Sequence, residues 1–331
     1  MSATIIPLRQ ERLHRSELAV PASSSHFFEK ARDSHADVVF FDLEDAVAEP
    51  MKEQAREQAI RAINEIEWGS KSIAVRINGL DTRWALRDLV DVATHCPRLD
   101  MILLPKAGTA FDVRFVEHVL TLVEWEQGRT RRVGIEVLIE TSLGLANAES
   151  IAASSERLEA MIFGVGDYTV DMRTGDTAFG VPSGRYAILT DGAADGVRAR
   201  HWNDQWHFAL ARIANACRAN GLRAIDGPFT QFGDPDGYRA SAQRSAALGF
   251  EGKWAIHPSQ IDLANEIYSP AAGQLEWAQR ISAAIEASAS AGHGAFAVDG
   301  TLIDLAHAKL AKGILQRQAL IDRIAGKVAC A

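Results

Sequence analysis

The chain is short of the features that mark most specialised protein classes. Its 331 residues contain 3 cysteines, and Cys96, Cys217 and Cys330 are far apart with no CxxC pair. An odd, scattered set excludes a disulfide framework and a structural zinc site, and fits a reducing cytoplasm. No apolar run approaches the roughly 20 residues of a membrane helix. The segment Met1-Ser2-Ala3-Thr4-Ile5-Ile6-Pro7 lacks the basic stretch and apolar core of a secretory signal. Positive charge is also scarce, with 35 Lys and Arg against 43 Asp and Glu for a net charge of −8. General nucleic-acid binding needs clustered Lys and Arg and is therefore not expected, although a local basic patch for a phosphorylated cofactor stays open. No Gly-x-Gly-x-x-Gly opens the first strand-to-helix turn, which removes the main argument for a dinucleotide site.

What the chain has is apolar runs in a regular alternation with helical stretches. Hydrophobic residues make up 47% of it and charged residues 24%, ordinary for a globular protein with a full core. Strands are expected at residues 17–21, 38–45, 72–78, 101–106, 133–141, 158–167, 223–228 and 252–257. Most are separated by helical segments, as where Phe111, Phe115, Val119 and Val123 fall four apart on one helical face. Continuous apolar strands alternating with helices imply a parallel sheet covered on both sides. Eight such units over roughly 260 residues match a (β/α)8 TIM barrel better than an open doubly wound sheet. A barrel domain is thus expected over residues 1–268, with a C-terminal helical lid or arm over 269–331. Val298-Asp299-Gly300-Thr301 in that arm is a hairpin signal, because Asp-Gly supplies the positive φ of a tight turn. The long stretch 168–206 reads equally as a functional lid or as a surface insertion.

Charged residues stand where the apolar runs end. Glu44 and Asp45 follow Val38-Val39-Phe40-Phe41-Asp42-Leu43, Arg76 follows Ile73-Ala74-Val75, Glu140 ends the run from Val133, and Asp167 follows Met161-Ile162-Phe163-Gly164-Val165-Gly166. The C-terminal ends of barrel strands converge on one mouth, where catalysis takes place. Carboxylates gathered there around an arginine suit a hard cation such as Mg2+, which takes oxygen ligands and leaves positions for substrate. Glu140 and Asp167, on neighbouring strands in this reading, are the candidate metal pair. The alternative is a set of rim acids that are solvated or paired with arginines. Lys106, after Leu104-Pro105, suits an electrostatic or structural role better than a Schiff base. His257 is expected to support the rim, and Asp171 to cap a helix or lie at the surface.

The segments Arg15-Ser16-Glu17-Leu18-Ala19-Val20-Pro21-Ala22, Phe41-Asp42-Leu43-Glu44-Asp45-Ala46-Val47, Val75-Arg76-Ile77-Asn78-Gly79 and Leu104-Pro105-Lys106 resemble the citrate lyase β-subunit and malyl-CoA lyase group of the HpcH/HpaI aldolase superfamily. Ile139-Glu140-Thr141, Gly166-Asp167, Lys253-Trp254-Ala255-Ile256-His257-Pro258 and Val298-Asp299-Gly300 continue the resemblance in order, over nearly the whole chain. It implies a Mg2+-dependent lyase that splits a 3-hydroxyacyl-CoA thioester such as malyl-CoA or citramalyl-CoA into acetyl-CoA, or a related acyl-CoA, and a 2-oxo acid. It further implies Mg2+ on Glu140 and Asp167 and a substrate site including Gly166. Arg76 is implied to face the negative charge on the thioester oxygen. Glu44 and Asp45 then orient Arg76 and metal-bound water, and Asp299 serves as general acid/base, from its own or a neighbouring subunit. Arg15 and Lys30 match positions that meet the CoA phosphates, although Ala22-Ser23-Ser24-Ser25-His26 departs from the glycine-containing loop expected between them. The resemblance also favours a homotrimer or a pair of trimers in the cytoplasm. Three other readings are a metal-dependent aldolase acting on a free hydroxy-oxo acid, an acyl-CoA thioesterase, and a non-catalytic barrel subunit.

Overall fold

The computed structural model describes residues 6–190, 192, 196–290, 296–298 and 300–326. Its strands are β1 (Ser16–Pro21), β2 (Val38–Asp42), β3 (Ser72–Arg76), β4 (Met101–Leu104), β5 (Gly134–Ile139), β6 (Leu158–Phe163), β7 (Arg223–Asp226) and β8 (Gly252–Ala255). Each pairs with its sequence neighbours in parallel, and β8 closes on β1 through Ser16–Lys253 and Glu17–Trp254 to complete a barrel. All eight expected strands are present. Their ends are shorter than expected, because the acids expected at several strand ends lie on the loops and turns that follow.

The barrel forms because both faces of these strands are apolar. Val38, Phe40, Ala74, Met101, Leu103, Leu138, Ala160, Ile162, Ile225 and Trp254 pack into one cluster. The intervening residues, such as Val39, Phe41, Ile73, Val75 and Ile102, are equally buried. Phe41 meets Phe28 and Trp68 edge-on at 5.1 and 5.6 Å. Burial on both faces is why the strands read as uninterrupted apolar runs. The helix after β4, Ala110–Gln127, begins at a Thr109/Asp112 capping box and ends at Gly128 with φ 62°, as such signals dictate. Its buried face is Val113, Val116, Leu120 and Val123, and Phe111 is 71% exposed. Strict four-residue spacing drifts around a helix of 3.6 residues per turn, so alternating steps of three and four keep to the buried side better.

The chain divides into two compact units, one of Met1–Gln10 with His14–Asn265 and one of Glu11–Leu13 with Glu266–Ala331. In the second, helices Ala272–Ser290 and Leu305–Ile324 flank an antiparallel hairpin, Phe296–Val298 with Thr301–Ile303. Ala278, Ile281, Ile303 and Ala311 form its core. The expected hairpin is present, with Gly300 at φ 77°; Asp299 lies outside the described residues. Within 168–206 there is a short hairpin, Ala187–Leu189 with Arg200–Trp202. Among the described residues no helix is long and apolar enough to cross a membrane.

Candidate active site

At the C-terminal end of the barrel a cavity of about 410 Å3 is lined by Asp42, Asp45, Arg76, Glu140, Gly166 and Asp167, together with Phe179 and Trp254. Arg76 is the fixed point. As the last residue of β3 it is 7% exposed, and its Nε and Nη2 donate to Asp42 Oδ1 and Oδ2 at 2.7 and 2.6 Å. Glu44 Oε2 lies 3.0 Å and Asp45 Oδ2 3.8 Å from its Nη1. The guanidinium also stands 5.5 Å from the Trp254 ring centroid, a cation–π distance. Burial disfavours its charge, but Asp42 and Glu44 more than offset this and keep it cationic. Asp42, despite burial, is held below the usual carboxylate range by Arg76 and by the backbone N–H groups of Glu44 and Ala46. A bidentate, fully hydrogen-bonded pair of this kind fixes an arginine's direction.

Asp42 is the site residue that sequence reasoning passed over. It lay inside the expected strand 38–45 and was not read as a functional acid, and the available signal was an aspartate inside an otherwise apolar run. Glu44 and Asp45 sit on the turn after β2. Lys52 Nζ donates to the backbone carbonyls of Leu43 and Glu44 at 2.9 and 2.7 Å and pins that turn.

Glu140 follows β5 directly and is 3% exposed. Its pKa is pushed up to about 8, first by burial and then by the charges of Glu44 and Asp167, against the pull of Arg76 and Lys106. Glu44 is also raised, chiefly by burial, although Arg76 and Lys106 oppose the shift. Asp167 is not at a strand end. β6 stops at Phe163, and Asp167 lies in the first turn of the helix Val165–Asp171. That helix still brings it to the cavity beside Glu140. Gly164 permits the arrangement, since a Cβ there would lie 2.4 Å from Glu140 Cβ and 2.5 Å from its Oε2. Gly166 faces more open space, with the Phe179 ring 3.5 Å from a Cβ built on it.

The other expected residues are placed as follows. Lys106, at φ 52°, donates its backbone N–H to Glu140 Oε1 at 2.7 Å. Its ammonium is hydrogen-bonded to Glu44 and lies 3.1 Å from Asp167 Oδ2. Lys30 is exposed on the helix Phe28–Asp33, which follows the C-terminal end of β1. Arg15 is placed elsewhere. It precedes β1, at the barrel end opposite the mouth, and forks onto Asp37 through Nε and Nη2, each at 2.8 Å. His257 accepts from the Ser259 N–H as an N-cap and stacks on Phe232 at 4.8 Å. Asp171 accepts from the Ser142 N–H at the start of the helix Ser142–Ala146.

The carboxylates fit a divalent cation. Glu44 Oε2 and Asp167 Oδ2 are buried oxygens whose close partners are cations, Arg76 Nη1 at 3.0 Å and Lys106 Nζ at 3.1 Å. Glu140, raised by burial and by the neighbouring acids, is relieved by nearby positive charge. Hard oxygen donors around a concave site match the preference of Mg2+. Glu140 and Asp167 would hold it, with Glu44 close by.

The profile of the HpcH/HpaI aldolase/citrate lyase family matches residues 15–258. The chain is 44% identical over 323 residues to the L-malyl-CoA/beta-methylmalyl-CoA lyase of Cereibacter sphaeroides, covering 97% of this chain and 100% of the relative. It is 33% identical over 303 residues to a (3S)-malyl-CoA thioesterase of the same species, covering 92% of this chain and 94% of the relative. Among solved structures, CitE of Mycobacterium tuberculosis in complex with magnesium, acetoacetate and coenzyme A superposes with a TM-score of 0.68. That likeness has 28% identity and covers 94% of this chain and 100% of the other. By profile, full-length likeness and barrel geometry together, the chain belongs to the HpcH/HpaI aldolase/citrate lyase family.

Proposed function

We propose that the protein is a Mg2+-dependent carbon–carbon lyase that cleaves, or forms, a 3-hydroxyacyl-CoA of the malyl-CoA or β-methylmalyl-CoA kind, giving an acyl-CoA and a 2-oxo acid. The observation that carries this reading is the gathering of Glu140 and Asp167 in one cavity with an immobilised Arg76, which Glu44 approaches to 3.0 Å. Its substrate side is supported by the full-length likeness to a malyl-CoA/beta-methylmalyl-CoA lyase.

Bound at Glu140 and Asp167, Mg2+ would supply a Lewis acid for the hydroxyl and carboxylate oxygens of the oxo-acid half. The remaining work falls to the chain's own groups. Arg76, held in direction by Asp42, presents a permanent positive charge to the thioester oxygen as negative charge develops there. Glu44 and Asp45 flank Arg76 and limit its movement. Trp254 and Phe179 form apolar wall and exclude water. Asp299 is assigned the proton transfer at the acyl carbon, from its own or a neighbouring subunit. Lys30, exposed on the helix after β1, is assigned a CoA phosphate as a point charge. We further assign a cytoplasmic location and a homo-oligomeric state, a trimer or pair of trimers.

The test is a panel of CoA thioesters incubated with Mg2+ and, separately, with excess chelator, with products scored by mass spectrometry. The expected result is acetyl-CoA plus glyoxylate from malyl-CoA, or propionyl-CoA plus glyoxylate from β-methylmalyl-CoA, with both lost to chelation. Release of free CoA with an intact hydroxy diacid would assign a thioesterase instead. Cleavage insensitive to the chelator would reject the metal reading.

A further inference from the structure

Lys106 makes more demands on the fold than a rim lysine needs to. Its backbone sits at φ 52°, a left-handed conformation that residues with a side chain adopt only when their surroundings enforce it. That conformation serves two groups at once. The N–H is turned onto Glu140 Oε1 at 2.7 Å, and the side chain reaches Glu44 and Asp167. One residue thus touches both acids of the candidate metal pair, by main chain on one and by ammonium on the other.

The charges explain why a cation is needed there. Asp42, Glu44, Asp45, Glu140 and Asp167 face Arg76 and Lys106, and Arg76 is already committed to Asp42 through two hydrogen bonds. Lys106 shares Glu44 with Arg76 Nη1, which lies 3.0 Å from it, and is the cation that meets Asp167, with Asp45 at 3.8 Å. Both contacts are close ion pairs: the ammonium is hydrogen-bonded to Glu44 and lies 3.1 Å from Asp167 Oδ2. The shorter contact, with Glu44, is the anchor, and the longer one, with Asp167, is the contact a metal can replace.

On the reading that Glu140 and Asp167 hold Mg2+, we propose that Lys106 is the stand-in cation of the metal-free site. Its ammonium bridges Glu44 and Asp167, keeps Asp167 beside Glu140, and gives up Asp167 to the incoming metal while remaining on Glu44. Its backbone N–H keeps Glu140 Oε1 in place in both states. The lysine therefore competes with the metal, so that Mg2+ is held loosely by the protein alone and tightly once an anionic oxo acid adds its own charge.

The experiment is isothermal titration of the full-length protein with Mg2+, at one pH and ionic strength, for wild type, Lys106→Met, Lys106→Gly and Lys106→Arg. Thermal melting of each metal-free protein accompanies it. Lys106→Met and Lys106→Gly delete the same charge, but the first keeps the strained backbone and the second relieves it. Both are expected to bind Mg2+ about tenfold more tightly than wild type or better, as removal of a cation within a few ångströms requires. Lys106→Arg stays within about threefold, because the charge is retained. Metal-free Lys106→Met melts below wild type, and its melting temperature rises further on Mg2+ addition. A lysine that only supports the fold would leave Mg2+ affinity unchanged or weaken it, and either result in either charge-deleting variant overturns the proposal. Absence of Mg2+ binding in all four proteins would remove the metal reading itself and this proposal with it.

Discussion

The two ends of the barrel bury charge in opposite ways. At the N-terminal end, acids and bases are matched. Arg15 forks onto Asp37, Arg98 and Arg131 converge on Asp100, Arg157 meets Glu124 at 2.6 Å, and Arg218 meets Glu251. Several of these acids also hold strand backbone, as when Asp100 accepts from the Ile73 N–H at 2.8 Å and Glu124 from the Val133 N–H at 2.7 Å. At the mouth the acids outnumber the bases, and Glu140 is driven up to about 8 by burial and by its acidic neighbours. Matched charge closes a barrel. Crowded like charge stores a demand for a cation, which a substrate-bearing metal can meet. Inside the barrel one exception is Glu17, raised to about 7 by burial and by Glu136, although His14 lies 2.8 Å away.

The largest expected effect comes from removing acid at the mouth. Glu140→Gln should lower Mg2+-dependent lyase kcat/KM by about a thousandfold or more, since the charge stabilisation lost with a metal is worth several kcal/mol. Above pH 8, where Glu140 is ionised, the metal-free variant should melt no lower than wild type, because a repelled charge has gone. The same chemistry at the base should do the reverse. Glu124→Gln leaves Arg157 buried and unpaired and is expected to cost about 3 kcal/mol in chemical denaturation, with kcat unchanged. If both variants lose activity and stability alike, the division between the two ends fails.

Much of this division could be read in the sequence. Both-face burial writes each strand as an apolar run, so the eight-fold repeat was legible, and so were Glu44, Arg76 and Glu140 near the strand ends. Asp167 was legible as a mouth acid but misplaced, because Met161-Ile162-Phe163-Gly164-Val165 continues the apolar run past the residue where strand pairing stops. Asp42 was obscured by its position within the strand, where only its partner across β2 and β3 reveals its role. The φ of Lys106 leaves no mark in a sequence, since nothing in Leu-Pro-Lys requires it. Arg15 looked like a phosphate contact by resemblance, whereas its place relative to the mouth depends on which end of β1 it occupies.

Two smaller effects sharpen the comparison. Glu140 titrates at about 8 instead of its usual 4.5, so below pH 8 a proton must leave before the metal binds. Mg2+ affinity, measured by titration calorimetry, should weaken as the pH falls from 8 to 6, by up to about tenfold per unit. In the metal-free protein the sign is opposite. A carboxyl raised on folding takes up protons in the folded state, so its contribution to stability declines as the pH rises between those two values. Glu140→Gln should flatten both dependences. The smallest change is expected from Arg15→Met, which should cost about 1 kcal/mol of stability and leave KM for the CoA thioester unaltered in steady-state assays. A raised KM with unchanged melting would instead tie Arg15 to the coenzyme.

The central claim is best tested by anomalous diffraction from crystals of the full-length protein grown with Mn2+ and oxalate. The account predicts one strong peak at the mouth, with an oxygen of Glu140 and an oxygen of Asp167 each at about 2.1 Å, as for a hard octahedral ion. A peak coordinated by Glu44 and Asp45 without Glu140, or no peak in the cavity with oxalate bound, would contradict it.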